Sequence, residues 1–249
     1  MNTPYIIAEI GSNWRTFEDA KRQIFEANIA GASAVKFQMF TLQELFGPDY
    51  KTDAKCYGLP FELVEPLADY CEDVGIDFLC SAFSIEGFKF VDMFVKMHKV
   101  ASPEALDLNI RDFLLFQAKP VIWSNGCAEI FWASHKDVVM ECVSKYPAKL
   151  TDYSLRKPIR GRLGLSDHTL DTDLARLFRN SECMFFEKHV DFLMDKYDDN
   201  MPDRCVSIGG EEFRQYVKAI KQEPVTIREE SAKLYGRQHQ GPGYFRPSL

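Results

Sequence analysis

Lys36 and Gln38, Ser166 and His168, and Glu187 and His189 are polar pairs two positions apart, each set in or at the end of an apolar run. On a strand, a spacing of two puts both members of a pair on one face. In Ala34-Val35-Lys36-Phe37-Gln38-Met39-Phe40, Val35, Phe37 and Met39 suit a packing face, which leaves Lys36 and Gln38 on the other. The same parity turns Glu9 to that side of its run. Lys99, Ser81, Ser102, Ser124 and Ser144 fall at or near the ends of further runs, as Ser166 does. Two ammonium groups with several hydroxyls make a cradle for a small phosphorylated carboxylate. His168 and His189 can offer two imidazoles to a divalent metal that keeps positions open for substrate. His98, His135 and His239 lack such company and are read as ordinary hydrogen-bonded or surface residues.

For these groups to meet, the runs that carry them must lie side by side. The β-rich runs are Tyr5-Ile10, Ala34-Phe40, Asp77-Ser81, His98-Ala101, Pro120-Ser124, Asp137-Cys142, Leu163-Ser166 and Met184-His189. Most segments between them read as amphipathic helices, such as Glu18 to Ala30 and Phe61 to Val74. Strands alternating with helices in this number predict an α/β fold, a (β/α)8 TIM barrel, whose chemistry sits at the C-terminal strand ends where these polar groups fall. An open doubly wound sheet fits less well, because the first turn, Gly11-Ser12-Asn13-Trp14, lacks the GxGxxG phosphate fingerprint. Only residues 125 to 136 separate the fifth and sixth strands, near the lower limit for a parallel crossover, and residues 148 to 162 carry Pro158 and Gly161. The fifth and sixth helical connections are therefore expected to be shortened. The barrel is expected to span residues 1–221, ending with a helix over Glu211 to Lys221. Residues 222–249 read as a C-terminal extension without a second domain.

Composition narrows the classes. The chain has 249 residues, 46% of them hydrophobic, with 30 Lys+Arg against 37 Asp+Glu for a net charge of −7. That supports a packed core and argues against nucleic-acid backbone binding, which needs a basic field. No apolar run approaches the roughly 18 residues of a membrane span. Glu9 interrupts the place where a signal peptide would be apolar. The seven cysteines are scattered without a CxxC pair, so structural zinc and a disulfide framework are not expected and a cytoplasmic location is.

At these same residues the sequence closely resembles the sialic acid (N-acetylneuraminate) synthase family, with its pseudaminic and legionaminic acid relatives. The resemblance rests on Ile6-Ile7-Ala8-Glu9-Ile10-Gly11-Ser12-Asn13, Gly31 to Gln38, Lys99-Val100-Ala101-Ser102-Pro103-Glu104, Pro120 to Gly126, Tyr146-Pro147, Gly164 to Leu170 and Glu187-Lys188-His189. It implies a metal-dependent condensation of phosphoenolpyruvate with an acylamino sugar, giving a nonulosonic acid and phosphate. By motif position it implies that Lys36, Ser81, Lys99, Ser102, Ser124, Ser144 and Ser166 hold phosphoenolpyruvate. His168 and His189 would bind Mn2+, with Mg2+ or Co2+ as substitutes. Glu9 and Glu104 would be catalytic, and Gln38, Tyr146 and Asp203 would face the sugar.

Several positions depart from the family pattern. Trp14 stands where His is usual after the Asn of the first loop, Ser144 where Asn is frequent, Glu141 where the strand often carries His, and Ser81-Ala82-Phe83 replaces Thr-Pro-Phe. The family's C-terminal antifreeze-like domain, which lends an arginine to the partner's sugar site, has no counterpart in these residues. Any homodimer would thus form without the family's domain exchange, and Arg228, Arg237 and Arg246 become candidate donors to the acyl group or a partner subunit. Two alternatives compete: another phosphoenolpyruvate-dependent sugar acid synthase, and a degenerate barrel that binds a sugar or regulates another protein. Retention of both histidines, both lysines and both glutamates argues against decay.

Overall fold

A computed structural model describes residues 3–46, 58–155, 157–197 and 203–222. Its strands are β1 (Tyr5–Gly11), β2 (Ala34–Met39), β3 (Asp77–Ala82), β4 (His98–Val100), β5 (Val121–Ser124), β6 (Val138–Cys142), β7 (Arg162–Asp167) and β8 (Phe185–His189). They pair in parallel in chain order and close into a barrel, with β1 against β8. The expected (β/α)8 architecture is therefore observed.

Each expected helix begins and ends for local reasons. In α1 (Phe17–Ile29), Thr16 accepts from Asp19 N–H while the Asp19 carboxylate accepts from Thr16 N–H, and Ala20, Ile24 and Ala27 turn inward. A short α2 (Leu42–Phe46) precedes α3 (Phe61–Val74). The latter stops at Gly75, whose φ of 81° is the left-handed cap that a side chain would resist. Ser84 caps α4 (Ile85–Val91) and Asp107 caps α5 (Leu108–Leu115), while α6 (Asp173–Arg179) packs on β7 and against α7 (Gly210–Lys221). Outside the strands, Val35, Phe37, Leu67, Phe178, Phe186 and Phe213 belong to one fully buried cluster.

Among the described residues, no α-helix lies between β5 and β6, and only a 3-10 turn at Leu150–Asp152 lies between β6 and β7. Where a helix would have packed, side-chain hydrogen bonds hold the β5–β6 loop. The buried Asp137 carboxylate accepts from Val121 N–H at 2.9 Å and from both the N–H and the hydroxyl of Ser134 at 2.7 and 2.8 Å. A cavity of about 360 Å³ opens beside this loop on the outer face of β6, between Ile130, Val139, Glu141, Ser154 and Leu163.

The outer faces of β7 and β8 are joined by an ion pair. Lys188 and Asp167 are completely buried 3.2 Å apart, and the ammonium also bonds Thr169 O. Alternation along these strands sends Ser166, His168, Glu187 and His189 inward. No helix among the described residues is long and apolar enough to cross a membrane.

Asp137→Ala would strand the buried Val121 N–H and release the loop, so it should cost about 2–4 kcal/mol in chemical denaturation. A loss below about 1 kcal/mol would show that the loop holds itself without the carboxylate.

Candidate active site

The inward residues form a buried charge network at the C-terminal end of the barrel. Register sets it up: β1 and β2 align Glu9 with Lys36, β2 and β3 align Gln38 with Ser81, β3 and β4 align Ser81 with Lys99, and β7 and β8 align Ser166 with Glu187. The Lys36 ammonium contacts the Glu9 carboxylate directly, donates to Ser81 Oγ at 3.0 Å and lies 3.8 Å from Glu187. Lys99 Nζ donates to Ser124 Oγ at 2.8 Å and stands 3.5 Å from the other Glu187 oxygen. Ser166 Oγ donates to Glu187 at 3.0 Å, and Gln38 Nε2 to Glu9 at 3.3 Å. Glu9, Lys36, Lys99 and Glu187 are each no more than 3% exposed.

Burial and neighbours divide the protonation behaviour of these groups. Burial raises Glu9 to about 7, with Glu187 and Asp203 adding to the rise and Lys36 opposing it. Burial also works against ionised Glu187, but Lys36, Lys99 and His189 outweigh it and hold the carboxyl at about 2. Lys36 is raised to about 12, because Glu187 and Glu9 overcome the cost of its burial. Lys99, which has no direct carboxylate contact as close, is lowered by burial.

The loops beyond the strands contribute a second group. Gly126 N–H donates to Ser102 Oγ at 3.1 Å, and a Cβ on Gly126 would lie 2.7 Å from both Ser102 Oγ and Ser144 Oγ. Glycine thus keeps open a gap bounded by two hydroxyls, a chemistry that suits anionic oxygens. Asn125 fixes the turn: its Oδ1 accepts from Cys142 N–H and its Nδ2 donates to Glu141.

Across the mouth, the two histidine rings stand 5.5 Å apart, centroid to centroid. Tyr146 stacks on His168 at 4.4 Å and meets His189 edge-on at 5.9 Å. His168 Nδ1 lies 2.6 Å from Val143 O. A carbonyl only accepts, so Nδ1 carries the proton and Nε2 keeps its lone pair. His189 Nδ1 is buried and has no hydrogen-bond partner among the described residues. Burial lowers both imidazoles to about 3, His168 also because His189 is near and His189 also because Lys36 is. Two neutral, buried imidazoles with lone pairs to offer fit a divalent ion. Among the described residues, no group of three or more His, Cys, Asp and Glu side chains is placed to hold one, so substrate or water would complete its shell.

Asp203 accepts from Ser12 N–H at 2.9 Å and approaches Gly11 so closely that a Cβ there would fall 2.2 Å from its Oδ2. Gly11 also needs its φ of 55°, and it ends a bulge where β1 slips one residue against β2. Burial raises the Asp203 carboxyl. Glu104 sits on the turn after β4, raised by burial, with one oxygen buried and without a hydrogen-bond partner among the described residues. Of the predicted site residues, Glu9, Lys36, Gln38, Ser81, Lys99, Ser124, Ser166 and His189 stand on strands, and Ser102, Glu104, Ser144, Tyr146, His168 and Asp203 on the connections that follow them. The tail arginines Arg228, Arg237 and Arg246 fall outside the described residues.

Trp14 and Glu141 take structural places. Trp14 is buried, donates from Nε1 to Gly11 O at 3.1 Å and packs edge-on against Phe37 outside the barrel. Glu141 faces the outer cavity and accepts from Asn125 and Ser154. Sequence reasoning turned Glu187 inward but gave it no task; its place between two lysines supplies one. Asn125, Gly126 and Tyr153 were missed as well, and only the Ser-Asn-Gly run after β5 signalled the first two.

The NeuB family model matches residues 23–231. A pseudaminic acid synthase from Campylobacter jejuni is 29% identical over 88% of this chain and 73% of its own. An N,N'-diacetyllegionaminic acid synthase from Legionella pneumophila is 27% identical over 88% and 72%. The fold superposes on a sialic acid synthetase from Leptospira borgpetersenii, solved with citrate, with a TM-score of 0.75, 21% identity and coverage of 93% and 90%.

The raised Glu9 value carries a stability signature. A carboxyl raised from 4.5 to about 7 on folding favours the native state fully at low pH and loses that contribution as pH climbs through 7. Between about pH 5 and 8, wild-type Tm should fall relative to Glu9→Gln, whose side chain does not ionise. Parallel Tm profiles would show that Glu9 titrates as an ordinary glutamate.

Proposed function

The chain belongs to the NeuB family, and from that premise we propose that it is a nonulosonic acid synthase, condensing phosphoenolpyruvate with an acylamino sugar aldehyde and releasing phosphate. The observation that carries the reading is the pair of buried ammonium groups, Lys36 and Lys99, each tied to a serine and both facing Glu187. Cations this buried are costly unless an anion uses them. Phosphoenolpyruvate, with a carboxylate and a phosphate on three carbons, suits two lysines and the hydroxyls of Ser81, Ser102, Ser124, Ser144 and Ser166.

Phosphoenolpyruvate is a masked enol, so its C3 attacks the sugar aldehyde carbon and a C–C bond forms. His168 and His189 would hold Mn2+, which when bound supplies Lewis-acid polarisation of that aldehyde. The oxygen of the aldehyde takes up a proton to become a hydroxyl. Attack leaves C2 electron-poor, and water adds there after losing a proton to Glu9 or Glu104. Both carboxyls are raised by burial, and Glu9 stands near the neutral range where a general base works best. The tetrahedral centre at C2 then collapses: its hydroxyl becomes the keto oxygen, the bond from C2 to the phosphate oxygen breaks, and phosphate leaves against Lys36, Lys99 and the serines, taking up the hydroxyl proton. Gln38, Tyr146 and Asp203 would face the sugar and orient its hydroxyls and acyl group.

Lys36→Met and Lys99→Met each keep aliphatic bulk and remove the charge, so each should weaken phosphoenolpyruvate at least about tenfold by calorimetry. Unchanged affinity in both would place the phosphate elsewhere. With Mn2+ and a panel running from N-acetylmannosamine to bacillosamine-type sugars, the wild type should release phosphate from phosphoenolpyruvate only when a sugar is present. No release with any sugar would reject the synthase reading.

Mn2+ should also raise the Tm of the wild type by mass action on the native state. The same rise in a His168→Ala, His189→Ala double variant would remove the ion from these histidines.

A further inference from the structure

The β6–β7 connection has no α-helix among its described residues, and its bonds converge on one residue of the site. His168 stands beyond Cys142 and Ser166, the last register pair between the two strands. Its backbone N–H donates to Tyr153 Oη at 2.8 Å, its carbonyl accepts from Ala148 N–H at 2.9 Å, and its Nδ1–H donates to Val143 O at 2.6 Å. Tyr146 covers its ring. All four partners come from residues 143–153. The Tyr153 hydroxyl makes a second bond, donating to Ser166 O at 3.1 Å, and the residue is only 4% exposed. One hydroxyl thus spans the backbone on both sides of Asp167, accepting after it and donating before it.

The geometry points to Tyr153 as a positioning residue for His168, its hydroxyl fixing the end of β7 so that the imidazole Nε2 is held toward His189 and the mouth. The inference rests on the proposed role of His168 as a metal ligand, and it assigns the helix-free connection a task in the site. Without the hydroxyl, His168 N–H loses its acceptor, the strand end can shift, and the Nδ1 bond to Val143 loosens with it. Groups that orient a ligating histidine typically change metal affinity about 10-fold to 100-fold when removed.

The test is Tyr153→Phe in the full chain, with Tyr216→Phe as control. Tyr216 is equally buried, and its hydroxyl has no hydrogen-bond partner among the described residues. Nitrogen-15 imidazole spectra of the metal-free protein should show His168 as one Nδ1–H tautomer in the wild type and in Tyr216→Phe, and as a mixture in Tyr153→Phe. Mn2+ titrations followed by electron paramagnetic resonance should show Kd raised at least about tenfold in Tyr153→Phe alone, with phosphoenolpyruvate Kd changed less than about twofold. An unchanged tautomer and Mn2+ Kd in Tyr153→Phe, or an equal loss in Tyr216→Phe, would overturn the assignment. If the wild type binds no Mn2+ yet only Tyr153→Phe mixes the tautomers, the positioning role stands and the metal reading fails.

Discussion

Four charges buried in the throat of the barrel constrain everything around them. Glu9, Lys36, Lys99 and Glu187 sum to zero formal charge, and each is almost wholly removed from water. Alone, any one of them would carry a desolvation penalty of several kcal/mol. Glu187 offsets part of that penalty by facing both ammonium groups from one carboxylate, at 3.8 and 3.5 Å. The arrangement is balanced without being saturated, since one Glu187 oxygen has no hydrogen-bond partner among the described residues and Lys99 is kept below its ordinary value. An entering anion therefore meets cations already oriented by serines, and little reorganisation is needed when charge develops on it.

Holding those charges in register requires a rigid sheet, and the molecule secures it differently on each side. Near β1, a bulge at the strand end and the left-handed Gly11 let Asp203 approach the backbone, while Asn13 bonds Val190 O and Ser207 to tie the loops after β1 and β8. Behind β7 and β8, the dry Asp167–Lys188 pair joins the two strands that carry the histidines. Around β5 and β6, where helices are missing, Asp137, Asn125 and Tyr153 bond backbone groups directly. The connections that look weakest as scaffolding thus reach furthest into the site.

Strand parity was enough to read the inner residues, because alternation leaves a polar side chain on an apolar strand only two directions. Lys36, Gln38, Ser166, His168 and His189 follow from it, Ser102 and Ser144 from their places near the ends of apolar runs, and the motif resemblance added Glu104 and Tyr146 on loops that have no period. Tyr153 escaped both routes. It meets His168 across a connection with no fixed geometry in sequence, through a hydroxyl that touches only backbone. Trp14 shows the opposite case: it stands out in sequence as a departure from the family pattern beside Asn13, and its indole is buried edge-on against Phe37. How Glu187 divides its charge between two lysines depends on distances that no spacing rule supplies.

The most direct measurement of the central claim is a crystal structure of the chain with phosphoenolpyruvate bound. The charge network predicts the ligand in the barrel mouth, its anionic oxygens about 3 Å from the Nζ atoms of both Lys36 and Lys99 and bonded to Ser102 or Ser144 beside Gly126. Phosphoenolpyruvate found in the cavity outside β6, or in the mouth but touching neither lysine, would contradict it.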